Sequence, residues 1–118
     1  MSWLGVGAKS APRPKDTKAQ VNPVGANQNL IAINATVSGH VQGVGFRYRT
    51  MWAAQDQNLA GWVRNEPDGT VMFHVEGPDY RVEQFMKTIR AGFPGAHISR
   101  LETSRAHPEG LSNFAVVY

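Results

Sequence analysis

The chain contains no cysteine, which excludes a disulfide framework, a thiolate-bound zinc and a cysteine nucleophile. The fold must rest on packing. No apolar run approaches the roughly 20 residues a membrane helix needs, and the start MSWLGVGAKS has neither the basic segment nor the long apolar segment of an export signal. No membrane partner is expected, and cytoplasmic is the default location. One domain with a modest core is what 118 residues allow. The net charge of +3 is not spread over the chain: residues 1–29 hold Lys9, Arg13, Lys15 and Lys18 against Asp16, while the remainder carries eight Arg and Lys against eight Asp and Glu. The part expected to fold therefore has no basic excess that would favour a nucleic acid.

Residues 1–29 carry Gly5, Gly7, Pro12, Pro14, Pro23 and Gly25 among Lys, Gln and Asn without periodicity, the pattern of a disordered leader. Trp3 and Leu4 within it are an isolated apolar pair, which at a terminus is more often incidental than a docking element. The expected domain spans residues 30–118.

From Leu30 onward Ile31, Ile33, Ala35 and Val37 alternate with Ala32, Asn34, Thr36 and Ser38, the two-residue period of a strand. A glycine-punctuated stretch, 39–45, then leads into Phe46–Asn58, which has no Gly or Pro and reads as a helix. Phe46, Thr50, Ala53 and Ala54 share its inner face, whereas Tyr48 and Trp52 lie on the other side with no evident reason. Trp62–Asn65 and Thr70–Glu76 read as a hairpin closed by Glu66-Pro67-Asp68-Gly69. Asp79 opens a second helix with Val82, Phe85, Met86 and Ile89 on one face and Gly92 as its stop. Ile98–Ser104 and Phe114–Tyr118 supply the last strands. This β-α-β-β-α-β order predicts an α+β domain, a ferredoxin-like split βαβ sandwich with an antiparallel sheet and both helices on one face.

The loop Gly39-His40-Val41-Gln42-Gly43-Val44-Gly45 lies between a strand and a helix that opens with Phe46 and Arg47. Such a loop points backbone N–H groups into one concavity and the helix N-terminus adds partial positive charge, so an anion is favoured there. Arg47 on the first turn adds a planar fork able to bind two phosphate oxygens. Taken alone, a glycine-rich turn is more often a tight connection than a phosphate site. The nucleotide motifs fail: no Gly-Lys-Ser/Thr occurs, and Gly43-Val-Gly45-Phe-Arg-Tyr48 lacks the third glycine of the dinucleotide fingerprint. Nor do Gly45-Phe-Arg-Tyr48 sit on a strand, as the stacking aromatics of an RNA recognition motif must.

The run Val37-Ser-Gly39-His-Val41-Gln42-Gly43-Val44-Gly-Phe46-Arg47 closely resembles the first acylphosphatase signature. A second match follows: Gly61-Trp62-Val63-Arg64-Asn65, three residues to Gly69, Val71 two further on and Gly77 six beyond. The ending, Ser112-Asn113-Phe114 to Tyr118, is similar to the family's last strand. The resemblance covers residues 30–118 and leaves the leader unmatched. It implies a phosphate cradle made by the backbone of His40, Val41, Gln42, Gly43, Val44, Gly45 and Phe46, a catalytic phosphate-binding Arg47, and a catalytic Asn65 that positions the attacking water. His40 occupies a place the signature leaves open and is expected to face solvent.

The implied reaction is hydrolysis of an acyl phosphate to a carboxylate and inorganic phosphate, the latter also a competitive inhibitor. A carboxylate leaves readily, so the barrier lies in orienting water in line and in stabilising charge on the phosphoryl oxygens. An arginine, amides and one carboxamide suffice, and no cofactor or metal is expected. The acids Asp56, Glu66, Asp68, Glu76, Asp79, Glu83, Glu102 and Glu109 show no ligand spacing, and most are expected on the surface. His74, His97 and His107 form no His-x-x-x-His pair, and His74 is expected as an exposed sheet-face residue. A monomer is the expected state. Two rivals stand beside this reading: a non-catalytic phosphate- or RNA-binding module on the same frame, and a fragment like the first domain of hydrogenase-maturation carbamoyltransferases, against which weighs the lack of a cysteine-rich zinc region before the end at Tyr118.

Overall fold

In the computed structural model, which describes residues 29–118, the alternating run forms strand β1, Leu30–His40. There follow helix α1 (Phe46–Asp56), strand β2 (Ala60–Asn65), strand β3 (Val71–Pro78), helix α2 (Asp79–Ala91), strand β4 (His97–Ala106) and strand β5 (Phe114–Val116). The leader expected over residues 1–29 lies, but for Asn29, outside the described residues. The strands form one sheet in the order β4-β1-β3-β2-β5.

Register decides which side chains meet. Ala35 pairs with Phe73 and Phe73 with Val63, so one face of three strands delivers apolar groups to a common layer. The α1 residues Phe46 and Ala54 enter that same core, as do Val82, Phe85, Met86 and Ile89 of α2, so both helices cover one face of the sheet. Phe85 meets Phe73 edge-on at 5.4 Å and Phe114 at 6.2 Å, which locks α2 across the sheet centre. The periodic face of α2 and its stop at Gly92 agree with the sequence reading.

Three features differ from expectation. Helix α1 ends at Asp56, because Asn58 turns the chain back with φ 55° and the Leu59 amide donates to the Ala54 carbonyl. β1 runs on to His40, so Gly39 and His40 extend the strand. And the sheet is mixed: β5 pairs with β2 in parallel, Val63 opposite Val116. The reason is directional parity. β4 runs antiparallel to β1, and the 107–113 connection carries the chain across the sheet to the far edge, so that β5 returns in the direction of β2.

That connection also covers the face turned away from the helices. Glu76, whose neighbours Phe73 and Val75 point into the core, accepts hydrogen bonds from the amides of Glu109 (2.8 Å), Gly110 (3.0 Å) and Leu111 (3.2 Å). His74 beneath is 1 % exposed. Its Nε2 lies 2.8 Å from Glu76 Oε2 and its Nδ1 2.7 Å from Asn34 Oδ1, and Trp62 stacks on the ring at 5.9 Å. The expected surface histidine is thus a buried one, and Glu76 is an exception to the solvated acids. Burial pushes the Glu76 carboxyl up, but the Glu109 amide, the His74 ring and the Leu111 and Gly110 amides outweigh it and hold it below the usual carboxylate range.

Candidate active site

The strand-to-helix loop begins at a point only glycine can occupy. The β1–β4 register shifts between Ser38 and Gly39, and a Cβ at Gly39 (φ 126°) would come within 2.1 Å of the His97 carbonyl oxygen. Four residues of turn follow, and Gly45, left-handed at φ 78°, ψ 13°, stands at the N-cap of α1 without capping it by a side chain. Val41 and Phe46 are buried in the core and pin the two ends of the loop, while His40, Gly43 and Gly45 are exposed between or beside them. His40 faces solvent as expected. Among the described residues, the amides of Gln42 through Arg47 donate to no protein acceptor. They are the orphan donors of a helix start and the turn before it.

Gln42 ties this loop to the hairpin. Its Nε2 donates to the Glu66 carbonyl at 2.9 Å and to the Thr70 carbonyl at 2.8 Å, the two residues that flank the Pro67-Asp68-Gly69 tip. The tip is closed by its own bonds. The Glu66 amide donates to the Thr70 carbonyl, and Asp68 Oδ1 accepts from the Thr70 amide and hydroxyl. The Thr70 hydroxyl and then its amide hold the Asp68 carboxyl below its usual value.

Asn65, immediately before the tip, pairs with Val71 at the end of β2 and shares a sheet face with Val63, the face covered by the helices. Its Oδ1 is fully buried and has no hydrogen-bond partner among the described residues. The turn is made by Asp68 and Gln42, leaving the Asn65 carboxamide unused. Buried acceptors are nearly always paired, so an unpaired one calls for a reason.

Arg47 is half-buried on the first turn of α1, a helix that packs against β2 and β5. Its Cζ lies 5.1 Å from the centre of the Tyr118 ring and 6.0 Å from that of Tyr48. Tyr118 follows β5 in register with β2: the Val117 amide donates to the Val63 carbonyl at 2.9 Å, which brings the next residue alongside the strand end that carries Asn65. The loop, Arg47 and Asn65 are therefore gathered at one end of the sheet, linked through Gln42 on one side and Tyr118 on the other. Sequence reasoning missed the structural part of Gln42 and the place of Tyr118. Both depend on contacts between segments 24 to 70 residues apart.

Fold and local architecture together define a two-layer α+β protein in which a glycine-bearing strand-to-helix turn meets a hairpin at the sheet end. The acylphosphatase family model matches residues 33–116. An acylphosphatase of a Nocardioides species is 44 % identical over 85 residues, 72 % of this chain and 86 % of that protein. Among solved structures, the acylphosphatase of Bacillus subtilis superposes with a TM-score of 0.72 at 35 % identity, over 75 % of this chain and 99 % of that one. That of Coxiella burnetii superposes with a TM-score of 0.73 at 31 % identity, over 77 % and 98 %. The chain belongs to the acylphosphatase family.

Proposed function

We propose that this chain hydrolyses carboxyl-phosphate anhydrides, with the 40–46 loop and Arg47 holding the phosphate and Asn65 placing the water. Family membership supports the reaction class. The observation that carries the residue assignment is the joining, through Gln42, of a loop with undonated amides to the hairpin whose preceding residue, Asn65, has a buried, unpaired carboxamide oxygen.

The chemistry follows from these groups. The amides and the α1 N-terminus offer fixed dipoles to the phosphoryl oxygens, and the Arg47 fork neutralises charge on two of them. Asn65 accepts a hydrogen bond from a water and holds its oxygen toward phosphorus. The new oxygen–phosphorus bond forms as the bond to the acyl oxygen breaks; the electron pair departs with the carboxylate, and the water's protons pass to phosphate and solvent. A carboxylate leaves as the anion, so no acid is needed on that side.

In the same reading the β-α-β-β-α-β order is the ferredoxin-like split βαβ frame with the extra pairing of β5, the chain acts as a cytoplasmic monomer, and inorganic phosphate is a competitive inhibitor. Release of benzoate and phosphate from benzoyl phosphate tests the proposal. Turnover by the native chain that is lost in Arg47→Gln is the expected result; no turnover by the native chain would overturn it.

A further inference from the structure

Two large exposed aromatic residues, Tyr48 and Tyr118, flank Arg47, and a third, Trp52, lies next to Tyr48 along α1, while the opposite side of the helix is filled by the core. Tyr48 is 41 % exposed, Trp52 55 % and Tyr118 91 %. They are not scattered. Tyr48 and Trp52, one helical turn apart, stand 6.5 Å from each other at 44°, and the Tyr48 hydroxyl lies 2.7 Å from that of Tyr118 across 70 residues of sequence. The Tyr118 hydroxyl accordingly raises the Tyr48 phenol above its usual value. The rings thus lie in a row beginning at the guanidinium, whose Cζ sits 5.1 Å from the Tyr118 ring centre and 6.0 Å from that of Tyr48, with Trp52 next along α1. Apolar surface left open in this way, bordered by charge, marks a place where something binds.

Resting on the hydrolase reading above, we infer that Tyr48, Trp52 and Tyr118 form the subsite for the acyl group and select acyl phosphates whose acyl part is aromatic. The acyl carbon is one oxygen away from phosphorus, so a phosphate held by Arg47 must place the acyl group within reach of rings that flank that same arginine. A flat aromatic acyl group gains offset or edge contacts with them that a short aliphatic one cannot make. Each such contact corresponds to a roughly three- to tenfold effect on kcat/KM. The Tyr48–Tyr118 hydroxyl contact and the Tyr48–Trp52 ring contact already bring the rings together, which reduces the ordering needed to bind the acyl group.

The test is the ratio of kcat/KM for benzoyl phosphate over acetyl phosphate in the native chain, Trp52→Ala, Trp52→Phe and Tyr80→Ala, with solution mass measured on the same samples. Comparing ratios between variants cancels the intrinsic difference between the two leaving groups. A native preference for benzoyl phosphate that falls about three- to tenfold in Trp52→Ala, is largely kept in Trp52→Phe and is unmoved in Tyr80→Ala, an equally exposed aromatic on α2, supports the subsite. Both acyl phosphates hydrolysed with the same ratio in native chain and Trp52→Ala overturns the subsite and leaves the hydrolase reading standing. A loss of dimer mass in Trp52→Ala with an unchanged ratio assigns the rings to a second copy and also overturns it. Failure of the native chain to release phosphate from either compound overturns the hydrolase reading itself.

Discussion

Gln42 reaches from the glycine loop to the Thr70 carbonyl oxygen at 2.8 Å, and with the same nitrogen to that of Glu66. A side chain inside the proposed phosphate cradle is thereby bonded to both ends of the hairpin tip that follows Asn65. In the proposed function, this tie sets how far the loop that would hold the phosphate lies from the residue that would hold the water.

Replacing Gln42 by Ala should therefore act on rate and stability together. Two partly buried hydrogen bonds are lost, a cost on the order of 1–3 kcal/mol, seen as a lower melting temperature. A loop displaced relative to Asn65 should lower kcat/KM by about tenfold or more, since small misplacements of reacting groups are expensive. Gln42→Glu should be worse, because it sets a carboxylate against two carbonyl oxygens and beside an anion. Full kcat/KM in a destabilised Gln42→Ala would show that the tie serves the fold alone.

Arg47→Lys and Arg47→Gln should lose phosphate affinity and rate at once, because one fork serves the bound phosphate and the charge that develops in the transition state. The expected fall in kcat/KM is about 10² or more, with inorganic phosphate a markedly weaker competitive inhibitor of both variants. Equal inhibition of native and variant chains removes Arg47 from the site.

Asn65→Ala should separate rate from binding and from stability. Its Oδ1 has no partner to lose, so melting should shift little, and the phosphate inhibition constant should stay within a few fold. The loss of the water's anchor should lower kcat by about 10² or more. Asparagine is common beside turns for structural reasons, and on that view the variant would melt lower and keep its kcat. Measuring kcat, phosphate inhibition and melting on one preparation decides between the two.

Glu76 gives a prediction about pH. Its carboxyl is held below the unfolded value of about 4.3, so the folded state binds fewer protons than the unfolded state between the two values. Its stabilisation is complete above pH ~4.3 and is lost as pH falls through the depressed folded value. The His74 ring and the more distant Glu109 carboxylate, 3.9 Å from His74 Nδ1, are the other titratable groups in this cluster. Glu76→Gln should flatten the acid limb of a melting-temperature profile and lower the neutral-pH melting temperature by roughly 5–15 °C, as bonds to a charged acceptor weaken. An unchanged acid limb would mean that other carboxylates govern it.

Much of this molecule is written in local sequence. The alternation from Ile31 to Val37, the Pro67-Asp68-Gly69 turn and the α2 face of Val82, Phe85, Met86 and Ile89 rest on periods and turn chemistry that act over a few residues, and the structure has them where they were expected. The same holds for the elements that carry the proposed site. Arg47 opens a helix after a glycine-bearing turn, and Asn65 ends a strand before a hairpin.

What the local pattern could not say is what covers the second face of a strand. A two-residue period places His74 and Glu76 opposite Phe73 and Val75, and there it stops. They are buried because the 107–113 connection, more than 30 residues further on, crosses the sheet and offers its amides to Glu76. The parallel seating of β5 comes from that same crossing, and it brings Tyr118 over Arg47 and beside Asn65. Local sequence thus determined the elements and the residues at their ends, because dihedral preference and side-chain period act between near neighbours. The tertiary structure alone decided which ends meet and which polar groups leave water, because those depend on where distant segments close on one another.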